Sequence, residues 1–188
     1  MGLDVDIYEA LERPVPRMPK FIGDSVVKQM KANNINFFAQ ESVAEVNVDA
    51  DKVTVKTANR TEEYDMLLSA IGIKPATDFV ENSGLTLQKG AVVVDAKGQT
   101  SDPHIYSGGD CALVHHRLLK RSVYFPLGHT ANKQGRIAGI NMSGGDTTFP
   151  GIVGTQVFKF FDTMYAQTGI TKEEAEKEDY NPTEVSAQ

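Results

Sequence analysis

The segment at residues 100–110, TSDPHIYSGGD, constrains the fold of this chain more than any other. The Asp-Pro pair at 102–103 ends any preceding element, because proline fixes φ, lacks a backbone donor and disfavours a helical conformation in the residue before it. Residues 104–107 then read as a short strand, and the two glycines at 108–109 let a second backbone or a ligand approach closely. Asp110 is therefore predicted to leave a strand at its carboxyl end, where open α/β sheets bind their ligands.

The carboxylate of Asp110 is the first candidate functional group of the chain. A carboxylate removed from water is costly unless it accepts hydrogen bonds, and a sugar-like polyol supplies the donors that it needs. The same acid can instead cap the segment that follows it, so the residues alone leave two interpretations open. Cys111 comes next and is the only cysteine of the chain, and it reads as a small packed residue rather than a nucleophile.

Composition and charge exclude several classes of function. The net charge of −6 and the pI near 5.2 argue against nucleic-acid binding, which requires a basic face. No apolar run approaches the roughly 20 residues that cross a bilayer, the first residues show no signal-peptide pattern, and a single cysteine fits a reducing compartment. We therefore expect a cytoplasmic protein without nucleic-acid or membrane partners. The two histidines at 115–116 lack the spacing of a metal site, so we expect a solvated loop there and no bound metal.

The first part of the chain alternates strand and helix patterns. Period-two alternation predicts the strands, and apolar residues at 22, 26, 27 and 30 predict an amphipathic helix. The predicted elements are a strand at 3–9, a helix at 21–33, a strand at 35–39, a hairpin at 43–55 with a charged tail at 56–64, and a strand buried on both faces at 66–71.

Two places in this part are candidates for binding a cofactor. Glu9 stands at the end of its strand, like the acid that holds the adenosine ribose of NAD in a dinucleotide-binding βαβ unit. An acid that only faces water is the alternative interpretation. Ile71 and Gly72 end the apolar run, and a glycine after a buried strand lets a backbone or a cofactor approach closely. The same pattern also fits a plain exit from a strand.

The remainder of the chain continues the mixed pattern. The predicted elements are a short helix at 79–82 capped by Asp78, strands at 91–95 and 104–107, a helix at 131–142, strands at 152–161 and 166–170, and a charged helix that starts with a capping box at Thr171. Residues 127–130 precede the longer of these helices, so free backbone N–H groups are expected to point outward at its start.

The order of these pieces resembles the FAD-dependent pyridine nucleotide-disulfide oxidoreductases, and within them the branch of NADH oxidases and coenzyme A-disulfide reductases. The segments that carry the resemblance are SAIGIKP at 69–75, VVVD at 92–95, TSDPHIYSGGD at 100–110 and PLGHTANKQGRIAG at 126–139. The resemblance covers nearly the whole chain but only part of the family's length. It implies an α/β fold of partial FAD/NAD(P)-binding Rossmann-like domains, followed by the start of an α+β dimerisation domain.

The resemblance also implies a division into three domains. Residues 1–77 would be the later part of an NAD-binding domain, residues 78–149 the carboxyl-terminal part of an FAD-binding domain, and residues 150–188 the beginning of a dimerisation domain. For the last part, a generic α+β end is the alternative.

The implied cofactors of the intact parent are FAD and NAD(H). Asp110 would hold the ribityl chain of FAD, Gly109 would allow its close approach, and Thr100 would support the turn. The helix start would lie against the flavin ring, where a positive dipole stabilises a reduced isoalloxazine. The residues of that start are Leu127, Gly128, His129, Thr130 and Asn132. For His129, an ordinary histidine at a helix entry is the alternative.

Two functions of different classes follow. The chain would be a fragment of an oxidoreductase that passes a hydride from NAD(P)H through FAD to a disulfide, a peroxide or oxygen, and Glu9 favours NADH because an acid repels a 2′-phosphate. Alternatively it is a non-catalytic fragment or subunit that needs a partner chain, because the family's glycine fingerprint and redox cysteine have no counterpart here. We assign no catalytic residue. Apolar strands at 66–71 and 92–94 would be left partly uncovered, which predicts a homo-oligomer, a complementing chain or a rearranged packing.

Overall fold

The computed structural model describes residues 2–185, which divide into two compact units. The first unit contains residues 2–71, 157–167 and 171–185, and the second contains residues 72–156 and 168–170. In chain order the elements are β1 (Val5–Glu9), α1 (Lys20–Ala32), β2 (Ile35–Ala39), β3 (Val43–Val48), β4 (Val53–Thr57), β5 (Thr61–Tyr64), a 3₁₀ turn (Asp78–Val80), β6 (Leu87–Gln88), β7 (Ala91–Val92), β8 (Val114–His116), β9 (Arg121–Val123), α2 (Gly128–Met142), β10 (Gln156–Phe160), β11 (Thr163–Gln167) and α3 (Lys172–Lys177).

The first unit opens with the predicted strand, helix and strand. β1 and β2 pair in parallel from Val5 opposite Ile35 to Glu9 opposite Ala39, and α1 connects them. Parallel neighbours require such a crossover, because a tight turn can only join antiparallel strands. This arrangement confirms the predicted α/β class.

One face of α1 forms the core of the first unit. Its buried residues Ile22, Val26 and Met30 lie at helical spacing and cluster with Met18 and Tyr165. Tyr165 comes from β11, where its ring stacks on Phe158 with 5.1 Å between the centroids. Its hydroxyl lies 3.0 Å from Ser25 Oγ, so the polar end of this buried ring is satisfied.

The opposite face of the β1–β2 sheet carries aromatic and polar side chains. Ile7 packs on the α1 cluster, and side chains alternate along a strand, so Asp6 and Tyr8 point to the other side. There the ring of Tyr8 lies 5.2 Å from that of Phe38, and the Tyr64 hydroxyl donates to Asp6 Oδ2 at 2.6 Å. Burial, followed by this bond to Asp6, raises the pKa of Tyr64 well above its usual range.

The charged stretch 56–64 differs from its prediction as a mere tail of the hairpin. Its last four residues form β5, which pairs antiparallel with β4, so the hairpin is a three-stranded sheet in the order β3, β4, β5. The central strand β4 buries Val55 completely. A strand with neighbours on both edges can bury its apolar side chains, and the added edge strand can carry charge because it faces water.

The predicted strand at 66–71 is wrong as a paired element. Met66, Leu68 and Ile71 are 75%, 84% and 96% exposed, and no backbone hydrogen bond is found for residues 65–76. A continuous apolar run becomes a buried strand only when neighbours supply hydrogen bonds and cover both faces. No described residue does so here, which confirms the expectation that this run is left uncovered.

The second unit is built around short pairings next to α2. Val92 bridges Ala112 in parallel, with Val92 N donating to Cys111 O and Leu113 N donating to Val92 O, both at 2.9 Å. Val92 is therefore only 4% exposed, while Val93 and Val94 are half-buried, so the expectation of a partly uncovered run at 92–94 is wrong for Val92. The predicted strand at 91–95 shortens to β7, because the chain then turns on the Asp95 side chain.

Two further expectations for this unit are corrected. Residues 104–107 form no strand, only a single antiparallel bridge between Tyr106 and Gln99, because the Asp102-Pro103 turn folds the segment back on itself. The histidines at 115–116 lie in β8 rather than in a solvated loop, and His116 is 4% exposed. Alternation along a strand places one of two neighbouring histidines inside.

The capping box at the start of α3 is confirmed, since Thr171 Oγ1 accepts from Glu174 N at 3.1 Å and Thr171 N donates to the Glu174 carboxylate at 2.9 Å. β10 and β11 begin at Gln156 and Thr163, so both predicted strands are shifted.

No helix of residues 2–185 is long and apolar enough to span a bilayer. The predicted boundaries after residues 77 and 149 stay predictions.

The orientation of α1 gives the first testable prediction. Ile22→Ala should lower the free energy of unfolding by about 2–4 kcal/mol, because it leaves a cavity in the core. Its neighbour Phe21 is 68% exposed, so Phe21→Ala should change the value by less than about 0.5 kcal/mol. Urea denaturation followed by circular dichroism measures both variants. Equal losses would contradict this orientation of the helix.

Candidate functional site

The loop at 108–109 packs directly on the backbone of α2. A Cβ on Gly108 would lie 2.9 Å from Gln134 C and 3.1 Å from Gly135 N, so only glycine permits this approach. Gly109 has φ of +97° and lies over Ala131, whose Cβ is 3.7 Å from the position of an added Cβ. The predicted glycine pair therefore brings Asp110 to the first turns of α2.

Gln134 joins this loop to the neighbouring bridge. Its side chain is 7% exposed, its Oε1 accepts from Gly109 N at 3.3 Å and its Nε2 donates to Leu113 O at 2.8 Å. A buried amide that pairs at both ends orients both partners. The sequence reasoning missed this residue, and the only signal was a glutamine at a position where the helix period predicts burial.

The far end of α2 is fastened in a similar way. Asn141 is 6% exposed and its Nδ2 donates to Lys97 O and Thr147 O, each at 2.8 Å. Gly98 lies against Ala138, whose Cβ is 3.1 Å from the position of an added Cβ. The helix is thus held at both ends against the loops that precede and follow the candidate site.

The start of α2 offers uncapped backbone donors. The helix begins at Gly128, three residues earlier than predicted, and its N-cap Leu127 makes no side-chain capping bond. Thr130 N and Ala131 N already bond to Leu127 O, whereas Gly128 and His129 are exposed. An uncapped helix start with free N–H groups favours an anionic or electron-rich ligand group.

Two side chains near this start differ in environment. Asn132 is exposed, while Thr130 is 2% exposed and its Oγ1 has no hydrogen-bond partner in the described chain. A buried hydroxyl without a partner costs free energy, because it has lost the bonds it made to water. This orphaned group distinguishes the helix start from an ordinary surface turn.

The carboxylate of Asp110 is exposed and accepts no hydrogen bond from residues 2–185. The alternative that it caps the following segment therefore finds no bond to support it. Tyr124 lies close enough to respond to its charge: burial, then Asp110 and then Cys111, raise the pKa of the tyrosine. Cys111 itself contacts Ser107 Oγ at 3.5 Å and Gly108 O at 3.7 Å.

Thr100 lies in the turn that precedes this loop. Its Oγ1 bonds with the backbone N and O of Asp102, each at 3.1 Å, and its N donates to Ile105 O at 3.0 Å. These bonds close the Asp-Pro turn. The structure thus connects Thr100 to the shape of the loop and not to the exposed side of Asp110.

A cleft of about 250 Å³ also lies beside α2. Its polar groups are largely engaged, since the Asp95 carboxylate accepts from Lys97 N and Gln99 N and the Gln134 amide is paired at both ends. None of the predicted cofactor residues lines it. We therefore assign the candidate site to the Asp110 loop and the start of α2.

In the first unit, Glu9 stands at the carboxyl end of β1. Its Oε1 accepts from Leu11 N at 2.9 Å, and its backbone O accepts from Glu41 N at 2.9 Å. One carboxylate oxygen is thus fixed by the protein. Ile71 ends the first unit and Gly72 begins the second; Ile71 is 96% exposed, an added Cβ on Gly72 would meet no atom within 4 Å, and no hydrogen bond joins either residue to another predicted site residue. No group of three or more metal-ligating side chains is found in residues 2–185.

Comparison with known proteins identifies the class. The family model described as pyridine nucleotide-disulphide oxidoreductase matches residues 1–135, and the chain belongs to this family. The NAD(P)H sulfur oxidoreductase (CoA-dependent) of Pyrococcus abyssi is 35% identical over 86% of this chain and 36% of its own length. A coenzyme A disulfide reductase of Staphylococcus aureus is 31% identical over 98% of this chain and 42% of its own length.

A solved structure shows the same relationship in three dimensions. The FAD-dependent pyridine nucleotide-disulphide oxidoreductase of Desulfovibrio vulgaris has a TM-score of 0.88 and 34% identity, covering 96% of this chain and 46% of that one. The family membership and the α/β Rossmann-like fold are thereby confirmed. The chain spans 36% and 42% of the length of the two curated relatives that it matches.

The packing of the glycine loop on α2 gives the second prediction. Gly108→Ala should lower the free energy of unfolding by about 1–3 kcal/mol, because its Cβ meets helix backbone that cannot move aside. Gly135→Ala has open space on the same helix and should be neutral or stabilising by up to about 1 kcal/mol. Chemical denaturation compares the two. A harmless Gly108→Ala would contradict the close approach.

Proposed function

We propose that this chain is part of a flavoenzyme that passes a hydride from NAD(P)H through FAD to a disulfide, a peroxide or oxygen. The observation that carries the proposal is the glycine loop packed on α2, which holds the unpaired Asp110 carboxylate beside an uncapped helix start. The names of the relatives support the same chemistry: NAD(P)H sulfur oxidoreductase, coenzyme A disulfide reductase and FAD-dependent pyridine nucleotide-disulphide oxidoreductase.

The residues of the second unit fit the polar parts of FAD. Asp110 can accept hydrogen bonds from ribityl hydroxyls, and Gly109 leaves its backbone accessible. The N–H groups of Gly128 and His129 and the orphaned Thr130 hydroxyl suit an acceptor-rich ring edge. A bound flavin supplies the hydride acceptor. The chain's residues bind and orient it, and the dipole of α2 favours negative charge at that point.

Glu9 is the proposed contact for the adenosine ribose of NADH. One oxygen of its carboxylate is fixed by Leu11 N, which leaves the other oxygen for a ribose hydroxyl. The negative charge disfavours a 2′-phosphate, so we propose NADH rather than NADPH as the donor. The remaining predicted contacts, Leu127, Asn132, Thr100, Ile71 and Gly72, stay proposals of this kind, and no catalytic residue is proposed.

The proposal extends to domain organisation and location. Residues 1–77 are assigned to an NAD domain, 78–149 to an FAD domain and 150–188 to a dimerisation domain; the family match over residues 1–135 supports the kind of protein and not these boundaries. A cytoplasmic location is supported by the single cysteine, which suits a reducing compartment.

A second candidate function is that of a non-catalytic chain that needs a partner. The specific observation in its favour is the exposed apolar segment 66–73, where Met66, Leu68, Ile71 and Ile73 are at least 70% exposed. Such a segment drives association with another chain or a second copy.

Flavin binding separates these functions. The purified chain should bind FAD and turn yellow, and NADH should bleach the colour if hydride transfer survives in this part of the enzyme. Asp110→Asn should weaken FAD binding by about tenfold or more, because it removes a charged acceptor. Asp78→Asn makes the same charge change at another exposed carboxylate of the unit and should have no effect.

Fluorescence titration measures the dissociation constants of both variants for FAD. A colourless chain that does not oxidise NADH would rule out independent catalysis, whereas equal affinities of the two variants for FAD would rule out the role of Asp110.

Association gives the fourth prediction. The chain should form an oligomer in light scattering, and Leu68→Lys should shift it toward the monomer because it places charge in the apolar segment. Val48→Lys is the matched control, since Val48 is 74% exposed on β3 of the same unit. A wild-type chain that stays monomeric would count against association through this segment.

A further inference from the structure

Glu41 carries a buried carboxylate, and its backbone is hydrogen-bonded to Glu9. The proposed function does not use this carboxylate. Glu41 is 7% exposed and lies two residues after the end of β2. Its Oε1 accepts from the Thr57 hydroxyl, and its Oε2 accepts from Asn59 Nδ2 at 2.7 Å. These two bonds, together with Arg60, hold the pKa of Glu41 below its usual range. Glu41 is therefore a charged anchor and not a surface acid.

Arg60 completes this anchor. Its guanidinium stands 3.8 Å from the centroid of the Phe38 ring, and its Nε lies 3.5 Å from Glu41 Oε1. That Nε is buried and makes no hydrogen bond, while the Arg60 side chain as a whole is 32% exposed, so the carboxylate and the ring stabilise the guanidinium together with water. The turn between β4 and β5 is thereby fixed to the end of β2.

The backbone then connects the anchor to the candidate ribose contact. Glu41 N donates to Glu9 O, and Gln40 N donates to Leu11 O, each at 2.9 Å. Leu11 N in turn donates to Glu9 Oε1. The loop that carries the Glu9 carboxylate is thus bonded to residues 40–41, and residue 41 is held by its own buried side chain.

We propose that Glu41 is a positioning residue, which fixes the loop at 9–11 so that the Glu9 carboxylate keeps one direction toward the vicinal hydroxyls of a ribose. The inference deepens the proposed NADH contact and rests on it. Glu41 touches no ligand itself. It acts through two backbone bonds, and its removal loosens the direction of the Glu9 carboxylate rather than removing the contact.

A purely structural role of Glu41 predicts a different outcome. If Glu41 only stabilised the three-stranded sheet, any variant that weakened the packing of this sheet to the same degree would change ligand binding equally. Tyr64→Phe is the matched control, because it removes the hydroxyl bonded to Asp6 without touching Glu41 or its partners. Asn59→Ala is a milder test of the anchor, since it removes one bond from an exposed side chain.

The experiment uses the whole ¹⁵N-labelled chain and two probes, ADP-ribose and its 2′-phosphorylated form. Glu41→Gln should speed exchange of the Leu11 and Glu41 amides by about tenfold, weaken ADP-ribose binding by about tenfold and reduce the preference over the 2′-phosphorylated probe. Asn59→Ala should act in the same direction with smaller changes. Tyr64→Phe should leave both the two amides and the preference unchanged.

Several results would overturn the positioning role of Glu41. Unchanged amide exchange at Leu11 in both anchor variants overturns the positioning role, even if Glu41→Gln lowers stability. Normal binding and normal preference in Glu41→Gln overturn it as well, as does an equal loss in Tyr64→Phe. A wild-type chain that binds neither probe overturns the proposed Glu9 contact and the ligand side of this inference together, a failure recognisable because wild type itself fails.

Discussion

The close approach of two backbones, the glycine loop at 108–109 and helix α2, is the constraint on which the second unit depends. No side chain separates Gly108 from the backbone around Gln134, and the amide of Gln134 then bonds both to this loop and to the neighbouring bridge at Leu113. The distance between loop and helix start is thus set by backbone contact, which does not adjust as a flexible side chain does. A binding site made of an acid on the loop and N–H groups on the helix is therefore rigid as well.

In the first unit, charged side chains rather than close backbone packing fix one segment against another. Its two-stranded parallel sheet is covered by α1 on one face and by aromatic and polar side chains on the other. At its carboxyl end, the turn of the three-stranded sheet is held by the buried Glu41 carboxylate, Arg60 and the ring of Phe38. A buried carboxylate needs such partners, and a complete set of partners fixes the position of the chain segment that carries it.

Local patterns predicted a large part of this structure. The period of α1, the strands β1 and β2 and the capping box of α3 each depend on residues close in sequence, and each is confirmed. The strand at 66–71 failed because its pattern describes neighbours that no described residue supplies. Gln134 and Glu41 were missed because a buried polar side chain is recognised by its distant partners, which a single sequence does not display. The site residues named from the resemblance are brought together only where the loop meets α2.

The central claim is that the Asp110 loop and the start of α2 face one flavin. Residue-resolved NMR of the labelled chain with added FAD tests it most directly, because the exposed carboxylate and the uncapped donors belong to separate segments. The account predicts that the amide signals of Gly109, Asp110, Gly128, His129 and Thr130 shift together along one binding curve, while those around the 250 Å³ cleft stay in place. Shifts confined to the cleft, or to only one of the two segments, would contradict it.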